Sequence, residues 1–362
     1  MGDHLINMYS DTVTKPTAAM RQAIANADVG DDMSGEDPTV NRLEALMCKI
    51  LGKEASVFAC SGTQSNQMAV RTHCEPGDEL LIAESGHIAC SEAGGPAALS
   101  GVTCRTLPSY RGTLDRPGLE GKVRVEDQHL CRTKLVCVEN PTNGGGGFPY
   151  PIEQLQRVGE WARSEGVKVH MDGARLFNAV VATSVSAEEI CQHVDTVSIC
   201  FSKGLGCPMG SILAGSTEDI YAARRARKLF GGALRQSGVV AAAAIYAMEH
   251  NVERLQEDHD NAHTFANGIS DIEGIKVNPN EIETNLVFFD IDPDLGTAAQ
   301  LKAQLYENGL KVSGSGRQRL RAVAHLDVSH EDVVKATAIV RNCVEAGFSD
   351  RVAAVTGPYA QG

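Results

Sequence analysis

Six short runs of this 362-residue chain leave few architectures open. They are EASVFA (54–59), ELLIAE (79–84), KLVCVE (134–139), VKVHMD (167–172), TVSICF (196–201) and SILAG (211–215), and several are apolar enough to be buried on both faces. Strands buried on both faces need helices above and below. Helix-like segments alternate with the runs through the first two thirds of the chain, so the sequence predicts an α/β fold on a mostly parallel sheet.

The helices carry local start and stop signals. Asp37-Pro38 supplies an N-cap and a first-turn proline, Val40, Leu43, Leu46, Met47 and Ile50 follow at helical spacing, and Gly52 stops the run. Further helices are expected at 152–165, 218–229 and 237–257. From about residue 260 the pattern changes to a helical stretch, strands near IKVN, NLVFFDI and LRAVAH, and helices near 297–308 and 329–345. The expected division is a large domain over 1–255 that includes the N-terminal segment, a smaller α+β domain over 256–350, and a tail at 351–362.

Composition then excludes several function classes. A hydrophobic content of 43% against 22% charged residues supplies a sizeable core. Lys and Arg number 33 against 46 Asp and Glu, and the resulting −13 repels nucleic acid and anionic membrane surfaces. Any anionic ligand must be held by a local cluster of donors. The N-terminus lacks the pattern of a secretory signal and no stretch approaches eighteen unbroken apolar residues, so a soluble cytoplasmic protein is expected. The 11 cysteines show no CxxC pair and no zinc-type spacing, which predicts reduced, mostly buried thiols and no metal.

In an open parallel sheet, ligands gather at the carboxyl ends of the strands. EASVFA runs into Ser61-Gly62-Thr63-Gln64, a small polar turn opening a helix. Its unpaired N–H groups suit a phosphate, although such turns also serve as ordinary caps. VKVHMD ends in Asp172-Gly-Ala-Arg175, which reads either as a cap with a surface ion pair or as two recognition groups. In the second reading, the carboxylate holds a protonated pyridine nitrogen and the guanidinium a substrate carboxylate. TVSICF ends in Ser202-Lys203, where an amine among small residues fits Schiff-base chemistry with an aldehyde. A P-loop is disfavoured because the glycines follow the lysine, and no GxGxxG follows the first strand. His87 follows ELLIAE and could lie flat on an aromatic cofactor, and His129 precedes KLVCVE. Arg321, inside LRAVAH, is either a solvated edge residue or a second carboxylate clamp.

With these residues in place the chain resembles the threonine aldolase family of fold-type I pyridoxal phosphate enzymes. Matching segments run almost end to end in the family's order: SDTVTKPT (10–17), VGDDMSGEDPTVNRLE (29–44), SGTQSNQ (61–67), EAGGPAALSG (92–101), MDGARLFNA (171–179), SICFSKGLGCPMGS (198–211), GGALRQSG (231–238) and AHLDVS (324–329). The resemblance implies a lysine carrying the cofactor at Lys203, a partner of the pyridine nitrogen at Asp172 and an imidazole stacked on the ring at His87. It implies a phosphate cup at Gly62 and Thr63, with Arg235 reaching a phosphate across a subunit boundary. Ser10, Arg175 and Arg321 match the ligands of the substrate carboxylate, and His129 matches a histidine near the substrate hydroxyl. A homotetramer with sites shared within dimers is implied as well.

The activity the resemblance implies is retro-aldol cleavage of L-threonine or L-allo-threonine to glycine and acetaldehyde. An amino-acid racemase or a β-eliminating lyase is the alternative, because both use the same lysine, aspartate and phosphate cup. A relative that had lost catalysis should lack one of these groups, and none is missing. Tyr9 stands where the family commonly carries an arginine before the serine, and three more positions depart from it: Ser34 and Ser91 stand where it carries aromatic residues, and Thr142 lies in ENPTN where it reads ENTHN. The last three point to a wetter pocket beside the substrate side chain.

Overall fold

The computed structural model describes residues 5–348, so the tail expected at 351–362 lies outside the described residues. Contacts divide the chain into two compact units, Thr14–Gln256 and a second that joins residues 5–13 to residues 257–348. The N-terminal segment, which the sequence groups with the large domain, packs in this second unit. Its strand β1 (Ile6–Asn7) pairs in parallel with Leu310–Lys311, and the Met8 carbonyl accepts the Val323 N–H. Two residues are too few to show a period of two, which is why the pattern did not reveal this strand.

The first unit is built on seven strands: β2 (Ala55–Ala59), β3 (Glu79–Ala83), β4 (Thr103–Leu107), β5 (Thr133–Glu139), β6 (Lys168–Asp172), β7 (Thr196–Cys200) and β8 (Ser211–Gly215). Their order across the sheet is β2-β8-β7-β6-β5-β3-β4. All but β8 run the same way, and β8 is antiparallel to both neighbours. The six apolar runs correspond to six of the seven strands. The strand they do not include, β4 (TCRTL), is a polar, partly exposed edge strand whose composition hides it.

Helices cover both faces. After α1 (Ala18–Ala25), α2 (Pro38–Leu51) starts where Asp37 accepts the N–H groups of Thr39 and Val40, buries Val40, Leu43, Met47 and Leu51 on one stripe, and ends at left-handed Gly52. α3 (Gly62–His73) follows β2 directly. The helix expected over 237–257 is instead Gly238–His250 followed by Leu255–Ile269. The break falls at Asn251, which caps the first helix and whose side-chain amide donates to the Leu205 carbonyl.

Alternation along β6 and β7 sorts their side chains. Val169, Met171, Val197 and Ile199 join the main apolar core with Phe201 and Trp161. His170, Asp172, Thr196 and Ser198 occupy the other face and are also buried, a polar run in a place where apolar residues are the norm.

The second unit holds a four-stranded antiparallel sheet of Ile275–Lys276, Leu286–Ile291, Ser313–Gly314 and Arg319–Val323. Phe265 and Phe289 meet edge to face at 6.1 Å in its core. Arg321 lies in this sheet opposite Phe288 and Ser313. Ser10 is buried in the same unit, where its hydroxyl accepts the Thr12 N–H at 3.3 Å. All 11 cysteines are free thiols. Among the described residues no helix is long and apolar enough to cross a membrane.

Candidate active site

The carboxyl ends of β2, β3, β5, β6 and β7 lie along one edge of the sheet, as the shared strand direction requires. Glu139, the last residue of β5, sits in register with Asp172, the last of β6, and Asp172 in register with Ser198 of β7. The Asp172 carboxyl is buried and held by two neutral donors, the Asn66 side-chain amide at 2.8 Å and the Ala174 backbone N–H at 3.0 Å. Among the described residues no cationic group makes an ion pair with it.

His87 opens α4 (His87–Cys90) just past β3 and lines the same small cavity as Asp172 and Glu139. Its Nδ1 lies 2.9 Å from Glu92 Oε1. A carboxylate only accepts, so Nδ1 carries the proton, which leaves Nε2 as the nitrogen that can accept a proton in the neutral ring. The hydrogen bond to Glu92 raises the His87 pKa above its ordinary value. Burial opposes the rise, and the charges of Asp172 and Glu92 reinforce it. Glu92 is itself buried and also accepts from Asn66 at 2.8 Å and Gln67 at 2.6 Å. Gly95 makes this approach possible, because a Cβ there would stand 2.6 Å from the Gln67 amide carbon.

Burial, aided by the charge of Asp172, raises the pKa of Glu139 to about 7. It accepts backbone N–H groups from Asn143 at 3.1 Å and His87 at 3.4 Å, so it ties the loop after β5 to the start of α4. The Asn140–Pro141 peptide in that loop is cis.

Lys203 follows β7 in a tight turn where its carbonyl accepts from Gly206 N–H at 2.8 Å and from the Thr14 hydroxyl at 2.9 Å. It stands just past the carboxyl end of β7, and its charge is near enough to lower the pKa of both His87 and Glu139. Arg175 caps the helix Leu176–Thr183 and lines a second small cavity with Lys203, its guanidinium 3.5 Å from Asn143 Oδ1.

α3 begins at Gly62 behind the N-cap Ser61, whose hydroxyl accepts the Gln64 N–H at 3.2 Å. The amides of Gly62 and Thr63 are first-turn donors with no partner inside the helix. A side chain at 62 would meet only Cys200, at an ordinary 3.5 Å, so the protein's own packing does not demand this glycine.

Two expected residues stand apart within this chain. Arg235 is exposed and pairs with Asp31 at 3.3 Å. His129 lies in the exposed loop before β5, where its N–H donates to Asp127. That loop enters at the amino ends of β3 and β5, opposite the edge that holds Asp172, as the Arg132–Asp78 ion pair and the Glu79-to-Arg132 backbone bond show. Ser34 and Ser91 are exposed, and Thr142 is buried with its hydroxyl on the Arg111 carbonyl at 2.8 Å.

The chemistry of this edge suits pyridoxal phosphate. A buried carboxyl with only neutral donors matches a protonated ring nitrogen, a helix N-terminus offers amides to a phosphate, and an amine stands between them in the strand order. His87, Glu92 and Asp172 also come within 4.8 Å of one another, a spacing that could hold a metal ion. Their nearest atoms are already committed to one another and to Asn66, which favours the organic cofactor.

The beta-eliminating lyase family model matches residues 7–292. A probable low-specificity L-threonine aldolase 2 of Arabidopsis thaliana is 44% identical over 91% of this chain and 94% of its own. The low specificity L-threonine aldolase of Escherichia coli K12 is 41% identical over 92% and 98%. The chain belongs to the beta-eliminating lyase family, within its threonine aldolase group. A solved threonine aldolase from Leishmania major has the same fold at 18% identity, with a TM-score of 0.80 over 94% of this chain and 99% of that one. The architecture is that of the fold-type I pyridoxal phosphate enzymes.

Sequence reasoning found Asp172, His87 and Lys203 from their places after strands. It did not single out Asn66, which holds Asp172, or Glu92 and Glu139, which hold His87. Asn66 and Glu92 lie inside the motifs SGTQSNQ and EAGGPAALSG, so a signal was present without a role attached to it.

Proposed function

We propose that this protein is a pyridoxal phosphate-dependent aldehyde-lyase that cleaves L-threonine, L-allo-threonine or both, and related β-hydroxy-α-amino acids, to glycine and an aldehyde, which is acetaldehyde for the two threonines. The observation that carries the reading is the Asp172 carboxyl, buried without a cation at the edge it shares with His87 and Lys203. When bound, pyridoxal phosphate supplies a sink for the electrons released as the bond between Cα and Cβ breaks.

The chain's own residues do the rest. Lys203 would hold the cofactor covalently and give up that hold to the substrate amine. Asp172 would keep the ring nitrogen protonated, and the Gly62 and Thr63 amides would take the phosphate. Arg175, with Arg321 and Ser10, would grip the substrate carboxylate and fix which bond stands ready to break. His87 would lie against the ring and accept the hydroxyl proton at Nε2, because its Nδ1–H is committed to Glu92.

His129 is the other candidate base, yet its loop lies at the far edge of its own sheet. A homotetramer with sites shared within dimers would let a second subunit's His129 and Arg235 complete the site. We place the protein in the cytoplasm, and we keep the division at 255/256 between the cofactor domain and the smaller domain.

The test is release of glycine and acetaldehyde when purified protein and pyridoxal phosphate meet L-threonine or L-allo-threonine separately. Equal amounts from either substrate establish the lyase. No release from either, with pyridoxal phosphate still bound, would move the reading to racemase or β-eliminating lyase. L-alanine and L-cysteine conjugates then separate those two.

A further inference from the structure

The polar run on β6 and β7 forms one continuous hydrogen-bond chain beneath α3. Asn66 and His73 stand seven residues apart on α3, two turns along the same face. His170 and Thr196 bridge them from the strands below. His73 Nε2 lies 2.9 Å from the Thr196 hydroxyl, which lies 3.0 Å from His170 Nδ1. His170 Nε2 lies 3.1 Å from Asn66 Oδ1, and Asn66 Nδ2 lies 2.8 Å from Asp172 Oδ2. His170 and Thr196 are 0% exposed and Asn66 2%, so water does not compete along these links.

Chemistry fixes the direction of every link. Asp172 and Glu92 accept only, so both hydrogens of the Asn66 amide are spent on them and its Oδ1 must face the other way. That oxygen accepts from the Ser198 hydroxyl at 2.6 Å and from His170, whose proton therefore sits on Nε2. Burial keeps the His170 ring neutral, with its pKa lowered to about 3. Its Nδ1 must then accept from Thr196, and Thr196 in turn accepts from His73. All donors point towards Asp172, and Asn66 has each of its four hydrogen-bonding positions filled.

We infer that the chain His73–Thr196–His170–Asn66 is a positioning device that locks the Asp172 carboxyl in place for a protonated ring nitrogen. Through the second hydrogen of the Asn66 amide, it also fixes Glu92 and with it His87. The inference rests on the pyridoxal phosphate reading above. It assigns four residues to holding the cofactor's ring that do not touch the ring themselves. The cost of burying so many polar groups is accounted for only if all are satisfied, since a partly satisfied buried network is worse than an apolar one.

The test titrates pyridoxal phosphate into the cofactor-free wild type, His170→Phe, His170→Gln and Thr196→Val, following absorbance of the bound cofactor and thermal unfolding with and without it. His170→Phe removes the donor to Asn66 and should weaken cofactor binding about tenfold or more and move the absorption band, as loss of an outer support commonly does. His170→Gln can return an N–H near the position of Nε2, and should recover most of the affinity and the wild-type band. Thr196→Val deletes one hydroxyl, frees the His170 tautomer and should lose affinity in the same direction by less.

If His170→Phe fails to fold, Thr196→Val decides the question. Wild-type affinity and spectrum in every folded variant would overturn the positioning role. A uniform loss of unfolding temperature with unchanged cofactor binding would also overturn it. A wild type that binds no pyridoxal phosphate would refute the cofactor reading instead, so the two failures are distinguishable.

Discussion

Replacing Glu139 with Gln should change how stability depends on pH, and the size of the change follows from its setting. The side chain is only 8% exposed and lies in register with Asp172. Burial raises its pKa from an ordinary 4.5 to about 7. A carboxyl raised in this way binds its proton more tightly folded than unfolded. Its contribution is therefore fully present below the unfolded value and is lost as pH climbs through the folded one. Each pH unit inside that window is worth about 1.4 kcal/mol, so between pH 5 and pH 8 the wild type should lose roughly 3 kcal/mol from this group.

Glutamine never ionises but accepts at one oxygen rather than two, giving up one of the bonds from His87 and Asn143 for about 1 kcal/mol. Glu139→Gln should therefore be slightly less stable than the wild type at pH 5 and more stable, by about 2 kcal/mol, at pH 8. Urea unfolding of both cofactor-free proteins at the two pH values reads this directly. The difference between variant and wild type reports Glu139 together with the charges that face it, Asp172, His87 and Lys203, because titrating groups elsewhere cancel. A difference that stays constant from pH 5 to pH 8 would refute the reasoning.

Three further outcomes follow from the site. The rate of substrate cleavage should rise with pH through a limb above 6.5, because protonated His87 cannot accept the hydroxyl proton and its pKa is raised by Glu92; His87→Asn should remove that limb and most of the turnover. Lys203→Ala should abolish turnover and leave no cofactor attached after borohydride reduction, as measured by intact mass, while the protein still unfolds near the wild-type temperature. Gly95→Ala should destabilise by about 1–3 kcal/mol in thermal unfolding, since the new Cβ meets the Gln67 amide at 2.6 Å and pushes it from Glu92.

The sequence made the sheet legible where a strand is buried on both faces, because an apolar run of five or six residues then has no competing reading. It failed at β4, which is polar, and at β1, which is too short. The candidate site was legible as residues placed after strand ends, a consequence of parallel topology that needs no coordinates. What holds those residues was less visible, because Asn66, Glu92 and His170 act across elements far apart in the chain. Asn66 and Asp172 are 106 positions apart, and only the sheet order brings α3 over β6. His129 shows the opposite limit: its position before a strand already implied the amino edge of the sheet, and the loop's exposure agrees.

Strand β8 acts as a ruler. It runs against its neighbours and stands between β2, which leads into Gly62, and β7, which leads into Lys203. The span from the helix N-terminus to the lysine is thus two interstrand steps, roughly 10 Å, set by backbone hydrogen bonding rather than by any loop. On the proposed function, loop substitutions along this edge would retune recognition and proton transfer without changing that span. Fitting a longer or shorter phosphorylated ligand would mean rebuilding the sheet itself.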